Sequence, residues 1–144
     1  MLLSSCGSDS VYNKSIPIEN RAWKEKFHPT FKVEITDTIN PYDFILTLRT
    51  TVDYPYSNLW LYLTIDGPMG KSKRLPLEII TADVSGKWTG DKSGSLVSFQ
   101  KLFMHDKFPK KGTYTLKFEQ ATTQKQVPEI VDISLEVFPA KINK

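Results

Sequence analysis

The chain has 144 residues, of which 40% are hydrophobic, with a formal net charge of +3 at pH 7 and a single cysteine. This length fits one domain with a sizeable core, and no segment reaches the roughly 18 consecutive apolar residues of a membrane-spanning helix. The basic runs lack the interleaved aromatic residues of a nucleic-acid groove, so we expect no nucleic-acid partner.

The single cysteine, Cys6, follows a leucine and two serines, the pattern that a bacterial lipoprotein signal peptidase recognises. This pattern predicts that residues 1–5 are the remnant of a signal peptide and that the thiol of Cys6 is lipidated. One acyl chain binds a bilayer only marginally, whereas two give a stable anchor. A diacylglyceryl group on Cys6 would therefore attach the chain to a membrane.

The segment after the cysteine is rich in small and polar residues. Such a composition is typical of an extended spacer. We predict that residues 6–15 form the lipidated N-terminus and a flexible tether, and that residues 16–144 form the folded domain.

Beyond the tether, apolar and polar residues alternate with a period of two, which is typical of half-buried strands. Turn signals containing proline or glycine separate the alternating runs at roughly ten-residue intervals. We predict an all-β fold, a single antiparallel β-sandwich of about eight strands, with immunoglobulin-like or jelly-roll topology. Short helical turns are compatible with residues 20–26 and 102–107. The alternating runs are 31–36, 44–49, 59–65, 75–79, 114–119 and 132–137.

A tyrosine corner is indicated at the start of the run 114–119. Gly112 precedes Tyr114 by two residues and follows a loop rich in proline and lysine. In a tyrosine corner, the phenol hydroxyl binds back to the preceding loop, and the motif is typical of β-sandwiches.

Catalytic and metal-binding motifs are missing from the sequence. His28 and His105 stand apart from any metal-ligand spacing, and there is no nucleophile elbow or phosphate-binding glycine loop. We therefore expect a protein that is not an enzyme, with no catalytic residues, no metal site and no cofactor.

The run 59–65 places two large aromatic residues, Trp60 and Tyr62, on the face opposite its leucines. They are either an exposed platform for sugars or a partner protein, or the second buried face of a central strand. In the latter case the segment around Ile16, Ile18 and Trp23 would cover them. Strands buried on both faces commonly carry aromatic residues, which favours the covered interpretation.

Two loops are candidate recognition elements. In the first, residues 53–58, a proline between two tyrosines enforces extended backbone, and the loop is either a self-capping turn or a rigid aromatic recognition loop. In the second, residues 86–90, a tryptophan between glycines is either packed at the rim of the core or displayed. The candidate partner-binding residues are Tyr54, Tyr56, Asn58, Gly86, Lys87 and Trp88.

Several motifs along the chain carry a family resemblance: Trp23, Phe31-x-Val33-x-Ile35-Thr36-Asp37-Thr38, Pro41-Tyr42, Leu46-x-Leu48-Arg49, Asp53-Tyr54-Pro55-Tyr56-Ser57-Asn58-Leu59-Trp60-Leu61, Gly86-Lys87-Trp88-x-Gly90 and Phe108-Pro109-x-x-Gly112-x-Tyr114. Together they resemble the gliding motility lipoproteins of the GldH type, found in Bacteroidetes. The resemblance implies a non-catalytic lipoprotein of the cell envelope, similar to an accessory component of the gliding machinery that shares parts with a secretion system. It also implies lipidation at Cys6 and partners among the envelope proteins of that assembly.

The residue after the cysteine is Gly7 and not an aspartate, which favours the outer membrane by analogy with lipoprotein sorting. We expect a lipid-anchored protein on the periplasmic face of that membrane and not at the cell surface. An alternative function is a surface carbohydrate-binding module, with Trp60, Tyr62 and Trp88 stacking on sugar rings.

Overall fold

The computed structural model describes residues 9–70 and 72–140, and these residues are mostly strand. A single short 3-10 turn, Glu19–Arg21, accompanies the strands in this part of the chain. The strands are β1 Tyr12–Pro17, β2 Ala22–Lys24, β3 Thr30–Ile35, β4 Tyr42–Thr51, β5 Asn58–Asp66, β6 Ser72–Ile80, β7 Asp91–Ser93, β8 Leu96–Asp106, β9 Gly112–Gln120, β10 Gln126–Pro128 and β11 Ile130–Pro139.

The strands form two main sheets and one small one. A five-stranded sheet has the order β1-β11-β4-β8-β7, a four-stranded sheet has the order β3-β9-β5-β6, and β10 pairs with β2. Every paired strand is antiparallel to its neighbour. The predicted all-β antiparallel sandwich is confirmed.

Eight of the described strands have six residues or more, and the other three have three residues each. Among the eight, the first pairs with the last (β1 with β11), the second with the seventh (β3 with β9), the third with the sixth (β4 with β8) and the fourth with the fifth (β5 with β6). A long antiparallel hairpin wrapped around a core gives this nested pairing, which is the jelly-roll arrangement. Of the two predicted topologies, the structure has the jelly roll.

The core lies between the two main sheets and contains the inward residues of the alternating runs. Each such aliphatic or aromatic side chain contributes about 1.5–3 kcal/mol on burial. The aromatic members pack edge to face, with Phe31 and Phe118 ring centroids 5.9 Å apart and Phe103 and Phe118 centroids 6.0 Å apart. The fully buried members include Phe31, Phe44, Leu46, Leu48, Leu59, Leu61, Leu63, Leu116, Phe118, Ile133, Leu135 and Val137.

The structure corrects the prediction of a helical turn at 102–107, because most of this segment belongs to the eleven-residue strand β8. The pairing of β8 with β4 shifts by one residue between Phe44 and Ile45. At this bulge Leu102 faces solvent while Phe103 packs against the core. A β-bulge changes the side on which residues lie, so the period of two is interrupted and the strand is not visible in the sequence.

The predicted tether extends too far. Residues 12–15 belong to β1, which pairs with β11 from Tyr12 opposite Val137 to Pro17 opposite Asp132. This pairing uses backbone N–H and C=O groups, which the polar side chains of the segment do not reveal. Residues 1–8, including Cys6, lie outside the described part of the chain.

The predicted tyrosine corner is present. The hydroxyl of Tyr114 donates a hydrogen bond to the carbonyl of Lys110 at 2.7 Å. Gly67 lies against the same ring, and a Cβ atom at this position would lie 2.7 Å from the Tyr114 Cε2 atom. Tyr114 therefore joins the β8–β9 loop to the β5–β6 turn.

Replacing Tyr114 by phenylalanine should lower the free energy of unfolding by about 1 kcal/mol, because the Lys110 carbonyl loses its partner. Urea denaturation followed by tryptophan fluorescence measures this change. Tyr62→Phe is the matched control, because its ring is exposed and its unfolding midpoint should stay within error. Equal midpoints for Tyr114→Phe and the unaltered chain would contradict the assignment.

Candidate functional site

The outer face of the four-stranded sheet displays two aromatic residues of β5. Leu59, Leu61 and Leu63 point into the core, while Trp60 is 43% exposed and Tyr62 is 36% exposed. The alternation of β5 therefore separates a buried face from an aromatic face that reaches solvent.

The prediction that the N-terminal segment covers these two side chains is wrong. Trp23 is fully buried, its indole N–H donates to the Phe27 carbonyl at 2.9 Å, and Ile18 is buried as well. The segment runs along the other sheet as β1 and then pairs with β10 as β2. It closes one end of the core and leaves the outer face of β5 open.

The neighbouring strand β6 completes this face. In the register of β5 and β6, Tyr62 lies opposite Pro76 and Asn58 lies opposite Ile80, which is 48% exposed. The guanidinium carbon of Arg74 lies 3.9 Å from the centre of the Tyr62 ring, a cation–π contact.

Trp60 lies opposite Glu78, and the side-chain amide of Asn58 donates to that carboxylate at 2.7 Å. The alternation of β6 places residues 76, 78 and 80 on its outer side. This alternation, together with a hairpin pairing of β5 and β6, would have predicted these residues beside Trp60 and Tyr62. Pro76, Glu78 and Ile80 are not among the site residues predicted from the sequence.

In the loop 53–58, the two tyrosines have different environments. Tyr54 is buried, its hydroxyl donates to the Asn58 carbonyl at 2.7 Å, and burial raises the pKa of its phenol. Tyr56 is 37% exposed, and its ring meets that of Tyr54 edge to face at 5.5 Å. The assignment of Tyr54 as a contact residue is therefore corrected: Tyr54 supports the loop, and Tyr56 is displayed.

The second candidate loop is a tight turn closed by a bridge between Ala82 and Trp88. Gly86 has a φ of +85°, a conformation that favours glycine. Trp88 is half-buried and packs against Phe99, with ring centroids 6.0 Å apart. Lys87 is exposed at the tip of the turn. Trp88 thus lies at the rim of the core.

Asp83 fixes the shape of this turn. Its carboxylate accepts hydrogen bonds from the backbone N–H and the hydroxyl of Ser85 and from the backbone N–H of Lys87. The hydroxyl of Ser85 and these amides hold the pKa of Asp83 below its usual value of 3.8.

Hydrogen bonds join the first candidate loop to Thr81 and Ala82, and Ala82 forms the bridge that closes the second loop. The backbone N–H groups of Thr81 and Ala82 donate to the Ser57 carbonyl at 2.8 and 3.2 Å. The hydroxyl of Thr81 donates to the Tyr56 carbonyl at 2.8 Å. The structure therefore brings both loops to one end of the sandwich.

A third loop, residues 121–125, borders Tyr56 and Trp60. The side chain of Gln120 is buried, donates to the Gln124 carbonyl at 2.8 Å and accepts from the backbone and hydroxyl of Thr122. The side-chain amide of Gln124 in turn donates to the Tyr56 hydroxyl. No sequence signal marked this loop, because only the tertiary fold brings it beside residue 56.

These elements enclose two depressions. One has a volume of about 200 Å³ and is bordered by Tyr54, Tyr56, Trp60 and Gln124. The other is a wide cleft beside Tyr62 and Arg74, in which His28 and Glu119 approach to 3.7 Å. Ala121 and Thr122 border both, so the depressions belong to one continuous surface. In residues 9–70 and 72–140, no group of three or more acidic, histidine or cysteine side chains is arranged to hold a metal ion.

Comparison with known proteins shows which family this chain is similar to. The family model described as GldH lipoprotein matches residues 10–137. A gliding motility lipoprotein GldH homolog of Christiangramia forsetii is 32% identical over 123 residues, covering 84% of this chain and 74% of the relative. The gliding motility lipoprotein GldH of Flavobacterium johnsoniae is 27% identical over 124 residues, covering 86% and 77%.

The hydrogen bonds to Asp83 predict that acid lowers the stability of the folded chain. Because the pKa of Asp83 is lower in the folded chain than in the unfolded chain, its contribution to stability is present above the unfolded pKa and is lost as pH falls through the folded pKa. A carbon-detected NMR titration of this carboxyl should give a pKa below 3.8.

Ser85→Ala removes the hydroxyl that contributes most to this shift and should return the pKa of Asp83 toward its usual value. An Asp83 pKa at or above its usual value in the unaltered chain would contradict this geometry.

Proposed function

Because the chain belongs to the GldH lipoprotein family, we propose that it is a lipid-anchored protein of the cell envelope that acts through protein–protein contacts. Its partners are other envelope proteins of a gliding motility or secretion assembly. The names of the relatives support the association with motility, and the displayed aromatic residues support the mode of action.

The anchor in this proposal is the acylated thiol of Cys6, and its location is the periplasmic face of the outer membrane. Among residues 9–70 and 72–140, no helix has the length and hydrophobicity to cross a membrane. The lipoprotein family and the leucine-serine-serine-cysteine pattern support attachment through acyl chains.

The observation that carries the proposal is the aromatic face, defined as Tyr56, Trp60, Tyr62, Pro76 and Ile80. Trp60 and Ile80 are 43% and 48% exposed, and Tyr56 and Tyr62 are 37% and 36% exposed. All five residues lie on the outer side of β5 and β6 or on the adjacent loop. Contiguous exposed apolar residues mark interaction sites. Tryptophan, tyrosine and arginine are the residues most enriched at the centres of protein interfaces.

The carbohydrate-binding alternative finds less support in the geometry. It requires Trp60, Tyr62 and Trp88 to offer ring faces to sugars. Arg74 already lies over the Tyr62 ring, and Trp88 packs against Phe99. A stacking platform therefore reduces to Trp60, whereas a protein partner can use the whole aromatic face.

The anchor is tested in the native host. Full-length protein should sediment with the outer membrane and carry a diacylglyceryl group on Cys6 by mass spectrometry. Cys6→Ser should leave the membrane fraction, because the thioether cannot form. An unmodified N-terminus with unchanged sedimentation would refute the anchor.

The partner surface is tested by crosslinking in native membranes and recovery of the crosslinked proteins. Trp60→Ala and Ile80→Ala should each lower recovery of a specific partner by at least about tenfold, the loss typical of interface hot spots. Leu102→Ala is the matched control, because Leu102 is 57% exposed on the outer face of the other sheet. Unchanged recovery with both variants would exclude the aromatic face, and quenching of tryptophan fluorescence by envelope glycans would favour the carbohydrate alternative.

A further inference from the structure

Both ends of the described chain and three loops lie at one end of the sandwich. Tyr12 at the start of β1 pairs with Val137 near the end of β11, and Tyr42 at the start of β4 pairs with Asp106 at the end of β8. In the other sheet, Ile35 at the end of β3 pairs with Gly112 at the start of β9. We name this the anchor end; its loops are residues 36–41, 67–70 and 107–111.

The three loops form one surface. Met69 and Lys73 from the β5–β6 hairpin line a shallow depression together with Pro109 from the β8–β9 loop. The ring of Tyr42, next to loop 36–41, meets that of Phe108 in loop 107–111 with centroids 6.0 Å apart, so these two loops are neighbours. The backbone N–H of Ala140, next to the last described strand, donates to the Pro41 carbonyl at 2.9 Å.

This surface is basic. Lys107, Lys110 and Lys111 are exposed in one loop, and Lys73 and Arg74 are exposed in the adjacent hairpin. The segments 36–41, 67–70 and 107–111 contain three lysines and one aspartate, Asp37, and the aspartates Asp66 and Asp106 flank them. The segments at the opposite end, residues 18–29, 52–57, 81–95 and 121–129, contain equal numbers of acidic and basic residues.

Exposed apolar side chains accompany the basic ones. Val11 is 52% exposed, Ile39 is 75% exposed and Met69 is 52% exposed, each in a different segment of the anchor end. Basic residues around isolated apolar side chains are the composition of surfaces that rest on membranes.

The anchor residue is close to this surface along the chain. Six residues lead from Cys6 to Tyr12 at the start of β1, and a fully extended chain of that length spans at most about 22 Å. A lipid on Cys6 therefore holds the anchor end, and not the opposite end, next to the bilayer.

We propose that the anchor end lies against the bilayer, with Lys73, Lys107, Lys110 and Lys111 contacting the phosphates of anionic phospholipids and Ile39 and Met69 entering the interface. The proposal deepens the proposed function and rests on its lipid anchor. In this orientation the loops 52–57 and 81–90 point away from the membrane. Strands of about ten residues separate them from the anchor end, so they lie roughly 30 Å above the bilayer surface. The site for partner contacts is then accessible to proteins that stand off the bilayer.

The test supplies the anchor chemically. The thiol of Cys6 in the full chain is coupled to a maleimide lipid in vesicles of phosphatidylcholine, with or without an equal part of phosphatidylglycerol. A limiting amine-reactive reagent then modifies the lysines, and mass spectrometry compares each site with the uncoupled chain. On phosphatidylglycerol vesicles, Lys110 and Lys111 should react at least threefold less, whereas Lys87 and Lys92 at the opposite end should react as before.

Equal protection at both ends, greater protection at the opposite end, or no dependence on phosphatidylglycerol would overturn the proposal. Because coupling does not depend on acylation in the host, this result is independent of the Cys6→Ser experiment. Failure of the membrane surface and failure of the lipid anchor are therefore distinguishable.

A matched pair of charge reversals assigns the effect to the basic loop. The double variant Lys110→Glu, Lys111→Glu should react at Lys73 and Lys107 on phosphatidylglycerol vesicles as strongly as the uncoupled chain does. The reason is that each basic residue near an anionic membrane strengthens the binding of the protein to that membrane by roughly fivefold. Lys87→Glu with Lys92→Glu makes the same change in charge at the opposite end and should leave the protection intact. Equal unfolding midpoints in urea establish that both variants fold, and equal protection in both would overturn the assignment.

Discussion

The pairing of the first strand with the last is the constraint on which the rest of the structure depends. β1 lies along β11 over six residue pairs, from Tyr12 opposite Val137 to Pro17 opposite Asp132. This contact places the outermost pair of the nested jelly roll and fixes where the chain enters the domain. Backbone hydrogen bonds of this kind contribute about 1 kcal/mol each in net terms, so their number and not any single bond stabilises the arrangement.

From this constraint follows a molecule with two distinct ends. The entry of β1 and the exit of β11 share an end with three loops that are basic overall. The loops around Tyr56 and Trp88 lie at the other end, where acidic and basic residues balance. We propose membrane contact at the first end and protein contact toward the second. This proposal depends on the difference in charge between the two ends, which results from the strand order.

Hydrogen bonds within the chain fix the loops of the surface proposed for partner binding. Asp83 fixes one turn, Gln120 fixes a second loop, and the Tyr54 hydroxyl fixes the third through the Asn58 carbonyl. Preorganised loops lose less conformational entropy on association than mobile ones. Tyr54 contributes to this proposed surface indirectly, because its buried ring meets the exposed ring of Tyr56 edge to face.

The sequence by itself determined the strand-rich class, the inward residues of the regular strands and the tyrosine corner at Tyr114, because a period of two and a local loop motif depend only on neighbours along the chain. It did not reveal β1, whose residues pair through backbone atoms, nor the bulge in β8 that turns Phe103 inward. Only the tertiary structure decided that Trp60 and Tyr62 are exposed, since their burial depends on whether the N-terminal segment crosses their sheet or the other one. Likewise only the strand order placed the loops of Tyr56 and Trp88 at one end and the lysine-rich loops at the other, because contacts between distant segments leave no periodic trace in the sequence.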